Sequence, residues 1–187
     1  MRCALLALLC ACAPKGVVRL SPRDPRLTAD AGAWLADAED EVAITAAKVD
    51  DAKQELTRTR AYSRELLDRI HRSGSKAQAL EKTFGQYTDA RIELRSRELT
   101  VAQQEYDLAW GRLKEARAET AVRYDLAVYD LAPINQEVEA LRARVGESEK
   151  YVEQQRAAVQ KLASQVWQTY AQYVQQGGDA IALWGGR

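Results

Sequence analysis

The chain has 187 residues, 29% of them charged and 7% aromatic, with four Pro and a single Phe, which leaves too little apolar mass for a thick globular core. Its 27 Lys and Arg offset 27 Asp and Glu, so no long-range positive field exists to draw nucleic acid, and no nucleic-acid partner is expected. What the composition favours is an all-α chain, thin or elongated, rich in Ala, Leu, Glu, Gln and Arg.

The first element in chain order is an apolar run of eleven residues, 3 to 13, preceded by Arg2 and followed by Pro14 and Lys15. It has the basic start and apolar middle of a secretory signal, and it is too short to span a bilayer, which needs about 20 residues. All three cysteines of the chain, Cys3, Cys10 and Cys12, lie here. The stretch Leu9 to Cys12, "LCAC", resembles the lipobox of bacterial lipoproteins, with Leu9 at the −3 position, Ala11 at −1 and Cys12 as the acceptor. Cys10 fits worse, because Leu9 would then hold the −1 position where the lipobox has a small residue.

That resemblance implies cleavage after residue 11 and lipid attachment at Cys12, which leaves a mature chain with no second thiol and no possible disulfide. Two or more acyl chains anchor a protein stably where one holds only marginally. Ala13, rather than Asp, follows the acceptor, which by analogy with lipoprotein sorting implies the outer membrane, facing the periplasm.

Residues 12 to 28 carry three of the four prolines without helical periodicity and read as a flexible tether, with a reach of about 50 Å at ~3.3 Å per residue. Thr28 or Asp30 can cap the helix that follows. Over 29 to 72, Leu35, Val42, Val49, Leu56, Ser63 and Ile70 recur every seven residues, interleaved with Ala31, Ala38, Thr45, Ala52, Thr59 and Leu66. This is a coiled-coil seam with small residues in alternate layers, which lets a neighbouring helix come close but buries little per layer. The stretch "HRSGSK", residues 71 to 76, ends it: Gly74 can take a left-handed conformation and Ser73 or Ser75 can cap the next start. The lone histidine, His71, falls in the last turn and is accounted for by the helix dipole.

A second helix is expected over 76 to 131. Ile92, Leu99, Tyr106 and Leu113 keep one register and Ala102, Ala109 and Ala116 the other, with an eleven-residue step from Leu113 to Tyr124. Strict sevens then run through Leu131, Val138, Val145, Val152, Val159, Val166 and Tyr173. Pro133 lies inside this run and leaves two architectures open. In one, the chain breaks there and a third helix starts with proline in its first turn, over 134 to 176. In the other, a single kinked helix of about 90 residues continues, near 135 Å long. The expected fold is therefore an elongated antiparallel coiled coil or a three-helix bundle of long helices, followed by a tail at 177 to 187 in which Trp184 docks on the bundle.

Trp167, Tyr170 and Val174 share a helix face by their spacing. They suit core packing or, as aromatic anchors, an exposed contact for a partner. No metal-ligand spacing, phosphate loop or nucleophile motif occurs, and one histidine without a mature thiol offers little for a metal, so neither enzyme activity nor a cofactor is expected. The functional expectation is a membrane-anchored envelope lipoprotein serving as scaffold, spacer or interaction arm, partnered by an envelope protein or by itself. The alternatives are an accessory subunit of a transport, efflux or secretion assembly, since alanine-rich hairpins resemble efflux coiled coils, and a regulator of a cell-wall enzyme.

Overall fold

In the computed structural model residues 19–183 are described. They form three long helices, α1 (Ala29–Arg72), α2 (Gln78–Arg123) and α3 (Ala132–Gln175), joined by a single 3₁₀ turn at Ser75–Ala77 and by an irregular loop at 124–131. No strand occurs among these residues. Helix α2 lies in the middle: both outer helices pack along it, and they scarcely approach each other except at one end. Ion pairs Glu39 with Arg117 (2.8 Å) and Lys48 with Glu105 (2.9 Å) join α1 to α2, and Glu98 with Arg156 (3.0 Å) and Lys114 with Glu137 (2.5 Å) join α2 to α3. In each set, one partner's number rises as the other's falls, the mark of antiparallel neighbours. The bundle runs up, down and up, and the 44 residues of α1 make it about 66 Å long.

The a/d seam explains the α1 to α2 contact. Leu35, Val49, Leu56 and Ile70 are buried with Ala31, Thr45, Thr59 and Leu66; Ala102, Ala109, Leu113 and Ala116 are buried on α2, where Ala116 packs with Leu35. Facing alanines allow close approach and contribute little area, so these helices need their full length. On the other side of α2, a Cβ at Gly111 would sit 3.0 Å from Leu141 Cδ1 and 3.4 Å from Val138 Cγ2, so the α3 side chains occupy the space left by the glycine. Of the run of sevens, Val138, Val145, Val152, Val166 and Tyr173 are buried, while Val159 is half-buried and Leu131 lies half-buried just before α3.

Each helix ends at a residue with positive φ: Gly74 (79°), Asp125 (53°) and Gly177 (77°). Around Asp125 the N–H of Leu126 donates to Ala121 C=O (2.8 Å) and that of Asp125 to Val122 C=O (3.2 Å), a Schellman motif. Helix α2 therefore stops at Arg123, eight residues before the expected 131. The eleven-residue step is the end of a helix rather than a stutter within one. Pro133 sits in the first turn of α3, where its missing N–H leaves no helical bond unmade.

Two further expectations change. The stretch from Leu20 to Thr28 is not a free tether, because Leu20 is 1% exposed and packs with Leu35, Ala116 and Ala121 at the end formed by the α1 start and the α2 finish. Ser73 and Ser75 do not cap α2, whose entry has no side-chain cap; Ser73 Oγ bonds back to Arg69 C=O. Thr28 does cap α1, accepting from Ala31 N–H at 3.4 Å. Cys12 and Trp184 lie outside the described residues.

Candidate functional site

The end of the bundle opposite Leu20 is built by α1 after Leu66, the start of α2 and the last turns of α3, whose Leu66, Ile70, Leu80, Phe84, Val166 and Tyr173 make one apolar cluster. On its α3 surface the three-and-four spacing sets Trp167, Tyr170 and Val174 in a row. Trp167 is 49% exposed and Val174 44%, while Tyr170 is half-buried. Trp167 meets Tyr170 edge-on (centroids 6.0 Å, 72°), and Tyr170 leans on buried Tyr173 (6.3 Å). The heptad position of Tyr173 takes it inward and leaves its neighbours on the flank, so all three expected residues share one surface and two are open to solvent.

Beyond Gln175 the chain reverses at Gly177 and Gly178. A Cβ at Gly178 would sit 2.3 Å from the Tyr173 ring, so only glycine allows the turn to lie flat on it. Residues 179–183 then run back between α1 and α3. Tyr62 Oη donates to Leu183 C=O (2.6 Å), Ile181 N–H donates to Tyr170 Oη (3.2 Å), and Leu183 is 2% exposed. A tail docked on the bundle was expected through Trp184, which lies outside the described residues; within them Ile181 and Leu183 make the contact. His71, in the adjoining turn, approaches Glu81 at 3.0 Å with both side chains exposed, which ties α1 to α2 besides the dipole contact.

At the Leu20 end the Arg26 guanidinium grips Asp24 with two bonds (2.9 and 2.7 Å), and its N–H adds a third (3.0 Å). Together these bonds hold the Asp24 carboxyl down at about 2. Thr28 and Tyr124 hydroxyls meet at 2.6 Å, pinning the entry of α1 to the end of α2. Between the ends, a cleft is lined by Trp34, Glu41, Arg112, Glu115 and Arg142 from all three helices. Burial pushes the Glu115 carboxyl up, aided by Glu119 and opposed by Arg142. Trp34 and Trp110, both partly exposed, were not singled out from the sequence, because neither belongs to a periodic run of aromatics.

Among the described residues no group of three or more His, Cys, Asp or Glu could hold a metal ion, and no helix is long and apolar enough to cross a membrane. Comparison with family profiles, curated proteins and solved structures finds no match to this chain.

Proposed function

We propose that this chain is a lipid-anchored cell-envelope protein whose bundle works as a spacer, presenting the Trp167, Tyr170 and Val174 surface to a protein partner away from the membrane. The anchor is Cys12, by its resemblance to a lipobox acceptor, with the outer membrane facing the periplasm as the location. The observation that carries this reading is polarity of placement. The chain enters at the Leu20 end, whereas the exposed aromatic row lies at the other end of a rod about 66 Å long. Large rigid aromatics lose little conformational freedom on docking, which makes them effective anchors in a contact. The work assigned is mechanical and needs no reacting group.

Photocrosslinking in intact cells tests the contact. A benzophenone amino acid at position 167 or 174 is expected to yield one dominant protein adduct, and the same probe at exposed Gln54, midway along α1, little or none. Equal and diffuse adducts from both places would remove the tip as a contact surface. Stoichiometric recovery of a transport channel would instead favour the accessory-subunit reading.

A further inference from the structure

Helix α3 carries a second row of sevens besides its valines. Gln160, Trp167 and Val174 recur at one position and Ala157, Ser164 and Ala171 at the interleaved one, the alternation of three and four that marks a helix seam. All six are exposed, so the row is turned away from the buried valine register. Its layers alternate larger and small side chains, as those of the α1 seam do. On α1 the seam is buried against a helix; here Ser164 and Ala171 leave shallow holes beside the Trp167 indole, and no helix covers them among the described residues.

The same stretch is without charge. From Leu162 to Gly178 the chain contains no Asp, Glu, Lys, Arg or His, although 29% of all its residues are charged. The row meets its first charge at Glu153, seven residues before Gln160, and that carboxylate is paired with Arg156. A two-fold contact sets each group close to its own copy, so a charged face repels itself and a neutral one does not.

We propose that the partner met by the aromatic tip is a second copy of this chain, its α3 lying parallel to the first over residues 157–174 about a two-fold axis along the rod. This deepens the anchored rod proposed above and rests on it. Two chains held to one membrane by the same residue present the row at the same height and in the same direction, which is the register a parallel two-fold pair requires. The Trp167 indole of each copy enters between Ser164 and Ala171 of the other, and the small side chains let the two backbones approach. A row this short is small against the about 800 Å² per partner of a stable complex. The pair therefore forms where anchoring in one plane raises the effective concentration, and it comes apart in dilute solution.

Cysteine pairing in intact envelopes of the natural host tests this, because a parallel two-fold seam brings identical positions together. On mild oxidation Gln160→Cys is expected to give about tenfold or more disulfide-linked dimer than Gln54→Cys, at an exposed site on α1. Adding Ala171→Glu or Ala171→Lys, also at an exposed position, should abolish the dimer while the helical melt is kept, and coexpression of the two should restore it as a mixed pair. No dimer from Gln160→Cys, as much from Gln54→Cys, a dimer indifferent to charge at 171, or a loss that mixing does not repair each overturns the pairing. The photoprobe at 174 separates this from failure of the tip itself. An adduct with a different protein and no dimer removes the second copy but leaves the tip a contact surface; no adduct and no dimer removes both.

Discussion

Gly32 shows how one missing side chain sets the entry of the bundle. A Cβ there would lie 2.4 Å from Pro22 C=O, so alanine forces the segment before α1 off the helix and draws Leu20 from its seat. Gly32→Ala should therefore speed tryptic cleavage after Arg23 and Arg26 several-fold while the helical melt moves little, whereas Gly85→Ala, where a Cβ meets nothing within 4 Å, should leave cleavage unchanged. Acid should act on the same segment. The Asp24 carboxyl is held at about 2 against an ordinary 3.8. Its bonding is intact above the unfolded value and disappears as pH falls through the folded one. Hydrogen exchange at Arg26 and Leu27 amides is expected to accelerate, relative to the intrinsic rate, between pH 4 and 2; Asp24→Asn should show the faster exchange already at pH 4.

Helix ends account for most of what could and could not be read at the scale of elements. The start of α1 was legible because Thr28 is a good cap, and its end because Gly74 is the residue that takes positive φ without cost. The end of α2 was hidden because the same left-handed position is held by Asp125, a residue whose type alone does not announce a stop. Asp125→Gly should raise stability by about 0.5–1 kcal/mol in chemical denaturation, through relief of that conformation; Gly74→Ala should do the opposite. Periodicity found the α1 seam and the valine register of α3. It missed the second seam of α2, Leu80 to Leu108, because a central helix superposes two sevens and each obscures the other. Of the candidate contact residues, the spacing placed Trp167, Tyr170 and Val174 on one face, but their exposure depended on Val166 and Tyr173 being the residues that turn toward α1 and α2 at that end. Leu20 stood as a single apolar residue among Pro and Arg, with no period to mark it as core.

For the whole molecule, the docking of Leu20 sets the geometry of attachment. Eight residues separate Cys12 from Leu20, a reach of at most about 26 Å, so a lipid on Cys12 would hold one end of the rod near the membrane and leave the aromatic tip about 66 Å farther along it. Without that attachment the rod has no fixed end from which to present its tip. Fatty-acid labelling of the protein and of Cys12→Ala in the natural host, followed by membrane fractionation, tests it directly. Label on the native protein, recovered with the outer membrane, and neither label nor membrane recovery for Cys12→Ala is the predicted result; equal labelling of both, or a soluble native protein that keeps residues 1 to 11, would contradict it.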